Sequence, residues 1–151
     1  MSIQTKLILE ALVSHAAASG YFDRVNTHEP KNPPGKGLTA AAWLQNASPI
    51  KGSGLNSTSS RVVFTVRIFT SMLTEPQDMI DPNIMDAADK LMSAYSGDFT
   101  LDGLIRNIDL LGASGNPLSM VAGYLDVANK LYRIMDITVP CIINDSWDQN
   151  P

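Results

Sequence analysis

Apolar and polar positions along the chain switch between a helical period and a strand period. Ile8, Ala11, Leu12 and His15 recur at helical spacing and Gly20 stands where a left-handed residue ends a helix, so a first helix is expected over 3–19. Leu38, Ala40, Ala42 and Leu44 alternate with Thr39, Ala41, Trp43 and Gln45, which suits a strand. Val62, Phe64, Val66 and Ile68 alternate with Val63, Thr65, Arg67 and Phe69, giving the clearest strand, 61–71. Asp81-Pro82 reads as a helix start, with Asp as cap and proline at the first helical position. Ile84, Ala87, Ala88, Leu91, Met92 and Tyr95 then keep one apolar face until Gly97, which predicts a second helix.

Farther on, 105–111 alternates briefly, 112–117 reads as a turn and 120–127 as a strand with apolar residues on both faces, so cover on both faces is expected. Ala128-Asn129-Lys130 can turn tightly into 131–143, where Leu131, Met135, Ile137, Val139, Cys141 and Ile143 share one side, predicting a long hairpin. Pro140 cannot donate to a ladder and is expected at an edge or a bulge, where another subunit can add on. Two stretches, about 29–37 and 49–60, are rich in Pro, Gly, Ser and Asn and read as exposed loops. The order of elements gives an α+β fold: a mixed, mostly antiparallel sheet with two main helices packed on it, in a single domain over 1–151.

Composition narrows function more than it shapes the fold. With 44% hydrophobic and 17% charged residues, the chain is too apolar to be disordered and slightly under-charged for a soluble globule, which leaves surface for protein contact. Its 11 Lys and Arg are scattered and the net charge is −4, so the footprint of a sequence-specific nucleic-acid binder is missing. No apolar run approaches the ~20 residues that span a bilayer. The N-terminal apolar run is broken by Glu10 and His15 and reads as an amphipathic helix instead of a signal peptide, which fits a reducing cytoplasm.

No motif of the chain carries a recognisable chemistry. The GxG fragments at Gly35–Gly37 and Gly52–Gly54 do not extend to a phosphate-binding loop, and His15 and His28 lack companions at metal-ligand spacing. Cys141, the sole cysteine, lies in an apolar run and reads as core. No nucleophile elbow occurs, and Asp23, Asp98, Asp102, Asp109 and Asp126 read as scattered carboxylates. No catalytic, cofactor-binding or metal site is therefore expected.

One segment resembles a known family. Met85-Asp86-Ala87-Ala88-Asp89, Ser96-Gly97-Asp98-Phe99-Thr100-Leu101 and Ile108-Asp109-Leu110-Leu111-Gly112 resemble the lambda-like tail terminator proteins of long-tailed bacteriophages. Gly123-Tyr124-Leu125, Leu131-Tyr132-Arg133 and Asp136-Ile137-Thr138-Val139-Pro140, ending at Asp145, resemble that family's closing hairpin. The resemblance covers the C-terminal half and extends to the N-terminal half in layout only. It implies a virion protein without enzymatic activity or cofactor, made in the host cytoplasm. Its copies would form a ring, expected to be a hexamer, that caps the head-proximal end of the tail tube and ends tube polymerisation. The implied partners are further copies of itself, the tail tube protein and a neck or head-completion protein, with DNA passing through the ring and no membrane.

On that reading Tyr124, Leu125 and Pro140 are the candidate subunit-interface residues, and Lys31, Lys36, Lys51 and Asn56 mark candidate partner-facing loops. A different head-tail joining or neck component would need the same surfaces. A small ligand-binding domain or enzyme would instead build its site from isolated Asp and His residues and show a deep pocket lined by ionisable groups.

Overall fold

A computed structural model describes residues 3–29, 37–50, 56–73 and 76–149. The chain runs through α1 (Thr5–Ser19), β1 (Arg24–Asn26), β2 (Leu38–Pro49), β3 (Ser57–Ser71), a 3₁₀ turn (Gln77–Met79), α2 (Ile80–Gly97), β4 (Asn107–Ile108), β5 (Ser119–Val127) and β6 (Lys130–Asp148). The strands form one six-stranded mixed sheet in the order β1-β2-β3-β6-β4, with β5 also paired to β6. Among the described residues only β1 and β2 run parallel. This is the expected α+β fold with two helices on a mostly antiparallel sheet.

Both helices bury their apolar stripes against one face of the sheet. Ile8, Leu12 and Ala16 of α1 and Ile84, Ala87, Ala88, Leu91 and Tyr95 of α2 join Val62, Phe64, Val66, Ile68, Met135, Ile137, Val139 and Cys141 in the main core. Each large side chain there removes enough apolar area from water to contribute about 1.5–3 kcal/mol. Tyr95 is fully buried and donates its hydroxyl to the Leu12 carbonyl at 2.9 Å, which ties α2 to α1 and pushes the phenol pKa upward through burial. Gly20 ends α1 in the left-handed conformation expected of it (φ 80°). On the opposite face Ala41, Phe69, Tyr132 and Ile134 form a second, smaller cluster, with Trp43, Leu125 and Val127 packed on it.

Several expectations are corrected. The second helix does not start on an Asp81 cap: the 3₁₀ turn leads into it, the Ile80 N–H bonds the Gln77 carbonyl, and Asp81 instead accepts from Arg133. The 49–60 stretch is partly strand, because β2 extends to Pro49 and β3 begins at Ser57; main-chain pairing continues there although few side chains are buried. Short β1 and two-residue β4 carry too few residues to show a period. Leu131, expected inward, is half exposed at the start of β6.

Candidate assembly surface

The β5–β6 hairpin closes through Ala128 and Asn129, both at positive φ (50° and 65°), between the paired residues Val127 and Lys130. Two successive left-handed residues make the turn whose twist matches that of antiparallel strands. β5 then pairs with β6 from Ser119↔Thr138 to Val127↔Lys130 without a register shift. Among the described residues no strand pairs with the other side of β5, so its outward N–H and C=O groups form an open edge.

That edge has few of the usual protections, with Asp126 near the hairpin turn as the one charge on the strand. β5 contains neither Pro nor Lys and no bulge, whereas the exposed half of β2 carries a register break between Leu44 and Asn46 and ends at Pro49. From Leu110 through Leu125 the sequence has no Asp, Glu, Lys or Arg at all. Val121 is 68% exposed and Tyr124 60% exposed, which corrects the expectation that both faces of this strand are covered.

Tyr124 and Leu125 are neighbours on opposite faces. The Tyr124 ring lies under the Arg133 guanidinium, 4.4 Å from ring centroid to Cζ. Arg133 donates from Nε to Asp81 Oδ1 at 2.9 Å and from Nη1 to the Gly123 carbonyl at 3.2 Å, so one arginine fixes the exposed tyrosine, the strand edge and the start of α2. Leu125 is half-buried against the second cluster, near the edge-to-face pair Phe69 and Tyr132. On that same face Arg67 donates to both oxygens of Asp136 (2.6 and 2.9 Å) and lies over Trp43; the bond to Asp136 holds its pKa above the ordinary value against the lowering by burial.

Pro140 is not at an edge. It sits within β6, buried, opposite Val63 of β3, and its carbonyl accepts from the Asp109 N–H at 2.8 Å. A strand residue directs its nitrogen and its oxygen to the same neighbour, so the missing N–H falls in the gap where β5 pairing has ended and β4 pairing has not begun. Burial removes it from the residues available for contact between monomers. Lys31, Lys36 and Lys51 lie outside the described residues. Asn56 is exposed, and its carbonyl accepts from the Gln149 N–H at 2.8 Å.

A second feature went unseen in the sequence. The segment after β4 is braced by a pair of nearly buried charges, Arg61 (11% exposed) and Asp109 (6% exposed), with Nε and Oδ2 3.6 Å apart. Asp109 accepts from the N–H groups of Ala113 and Ser114 at 2.8 and 3.0 Å, and Arg61 donates to the Asn116 carbonyl. Gly112 is at φ 80°, and a Cβ there would lie 2.5 Å from the Gly115 carbonyl oxygen. The loop is thus held rigid from within, and Leu111 on it is 94% exposed, more than any other large hydrophobic residue described.

Three of the groups with catalytic potential, His15, Asp98 and Cys141, have defined surroundings. His15 bonds Asp98 at 2.8 Å and meets the edge of Tyr95 at 5.7 Å. The Asp98 carboxyl is held below the ordinary range chiefly by the hydrogen bond from the Asp102 N–H, with His15 adding to it. Cys141 is fully buried and its thiol is pushed up to about 12 by desolvation. Among the described residues no three His, Cys, Asp or Glu side chains converge to hold a metal, and no helix is long and apolar enough to cross a membrane.

No family model matches the chain, and no curated relative matches it. Among solved structures, the chain is similar to one in the structure titled "Virion of native gene transfer agent (GTA) particle", over 89% of this chain and 84% of that chain. The identity is 14% and the TM-score 0.32, a likeness that bears on neither activity nor partners.

Proposed function

We propose that this chain is a non-enzymatic structural protein of a virion, whose copies close into a ring at the head-proximal end of a phage tail tube. The observation that carries the assembly part is the open edge of β5, nine residues long, bearing exposed Val121 and Tyr124, with its one charged side chain, Asp126, next to the hairpin turn. An open strand edge offers a row of main-chain groups to a neighbouring strand, and the side chains beside it supply the apolar area that makes such pairing persist. The tail position rests on the sequence resemblance over 79–147. A head-to-tail contact repeated between identical subunits closes into a ring when its rotation divides the circle, leaving one face for the tube and the other for a neck or head-completion protein. Six copies are proposed, with DNA passing through the opening.

The test is the solution mass of the full chain, alone and with purified tail tubes, together with negative-stain images. Rings in solution or on one end of the tubes are expected. Val121→Lys adds a charge to the open edge without entering the core and is expected to abolish assembly while leaving the melting temperature of the monomer unchanged. Assembly of the variant at wild-type strength would refute the role given to this edge.

A further inference from the structure

The sheet has two different ends. At one lies β5, beside the short β4; at the other, among the described residues, nothing pairs with the outer side of β2 beyond Ala41, where β1 stops. Edges that face water are ordinarily guarded by charge. Here the two longest stretches of the chain without Asp, Glu, Lys or Arg are 37–50 and 110–125, and they hold all of β2 and all of β5 but Asp126 and Val127.

Main-chain direction and side-chain face agree between the two edges. The pair that flanks a two-residue turn, here Val127↔Lys130, exchanges its hydrogen bonds across the hairpin, and every second pair repeats this. Leu125 and Gly123 therefore bond β6, and Tyr124 turns its N–H and C=O outward. On β2 the Leu38 carbonyl accepts from the Asp23 N–H at 2.8 Å, so Leu38 points away from β3, and the same alternation turns Leu44 outward, clear of β1. Leu44 stands opposite Phe64, and Tyr124 opposite Arg133, which is itself opposite Thr70, so both side chains lie on the helix-bearing face. Both are exposed, Leu44 by 46% and Tyr124 by 60%. Next to them Trp43 and Leu125 lie on the other face, each partly buried against the second cluster.

We infer that β5 of one copy lies antiparallel along β2 of the next, with Tyr124 opposite Leu44 and Leu125 opposite Trp43, so that one sheet runs from subunit to subunit. This rests on the reading that copies of the chain associate, and it names the strand that the β5 edge receives. Asp126, the charge on β5, then falls opposite Ala42, and β2 has no carboxylate to repel it. The register break after Leu44 ends the regular pairing there. Because the two edges differ, each copy offers one and receives one, which is the head-to-tail contact that closes rings; β5 against β5 would stop at a dimer.

The test is a disulfide. Directly opposed antiparallel residues have Cα atoms about 5.5 Å apart, within disulfide reach, whereas in one chain positions 44 and 124 are separated by three strand spacings, about 14 Å. Cys141 is buried, so a chain carrying both Leu44→Cys and Tyr124→Cys presents two accessible thiols. Mild oxidation, with and without purified tail tubes, is expected to give a covalent ladder on non-reducing gels that ends in a closed ring. A mixture of the two single variants is expected to yield the mixed dimer far above a mixture of Tyr124→Cys with Asp89→Cys, an exposed position on α2. Leu44→Lys is expected to weaken self-association measured by sedimentation about tenfold, as a half-exposed leucine left unburied requires, with the melting temperature of the monomer unchanged. Assemblies that form without the cross-link between 44 and 124, a Tyr124→Cys chain that links to itself instead, or Leu44→Lys associating at wild-type strength would overturn the inference and leave the ring reading standing. A wild-type chain that stays monomeric at high concentration and on tail tubes would overturn both.

Discussion

Replacing Asp109 by Ala tests whether the loop that displays Leu111 is braced as the geometry indicates. The substitution removes the acceptor of two backbone N–H groups, those of Ala113 and Ser114, and strands the Arg61 guanidinium, whose Nε is buried without a hydrogen-bond partner and has only the Asp109 charge 3.6 Å away. Losing bonds to a charged acceptor costs about 1.5–3 kcal/mol each at most, and breaking one partner of a buried ion pair costs about 3–5 kcal/mol in total. The two ranges describe the same event, so the expected loss is about 3–5 kcal/mol. For a chain of this size each kcal/mol lowers the melting temperature by roughly 2–4 °C, which sets the expected shift at roughly 6–20 °C. Urea unfolding followed by tryptophan fluorescence measures the loss, and Arg61→Met in the same background completes a double-mutant cycle. Removing the stranded cation is expected to recover more than about 1 kcal/mol. A single-mutant loss under about 1 kcal/mol, or full additivity in the cycle, would refute the account of the brace.

Three further outcomes follow from the same geometry. Asp98 has a depressed pKa in the folded state, so its contribution is present above the ordinary value of about 3.9 and is lost as pH falls through the lower folded value; melting temperatures across the acid range are expected to fall less steeply for Asp98→Asn than for wild type. Cys141, fully buried and with its thiol pushed up to about 12, is expected to stay unmodified by a thiol reagent at pH 8 in the native chain and to react fully in denaturant; fast labelling of the native protein would contradict its burial. Ala128→Gly relieves a left-handed alanine in the hairpin turn and is expected to raise stability by roughly 0.5–1 kcal/mol, read as a higher urea midpoint.

What the sequence makes legible is governed by burial. The apolar stripe of α2 and the alternation of 61–71 are visible because one side of each faces the main core, and side-chain pattern records that asymmetry. The tight turn at Ala128-Asn129 is visible because its residues sit between two apolar runs at hairpin spacing. Exposed strand leaves no such record, which is why the expected strand stops at Gln45 and Pro49 reads as loop, and why β5, apolar on both sides, suggests cover that Val121 and Tyr124 lack. Pro140 shows the limit in another way: a missing N–H demands a place with no donor required, and an interior gap between β4 and β5 meets that demand as well as an edge does.

Of the candidate surface, Tyr124 and Leu125 could be found from sequence, and as neighbours on a strand they must face opposite ways; which of them turns to the second cluster depends on the register with Arg133 and Tyr132. The Arg61–Asp109 brace joins residues far apart in the chain, and nothing local marks either one. Leu111 looks like an ordinary strand end until the loop is seen to hold it in water.

The central claim, that this chain works by closing on copies of itself, is tested most directly by the particle mass and shape of the full chain mixed with purified tail tubes. The account predicts closed rings, six copies each, seated on one end of the tubes and lost in Val121→Lys. A chain that remains monomeric at high concentration and leaves both tube ends bare would contradict it.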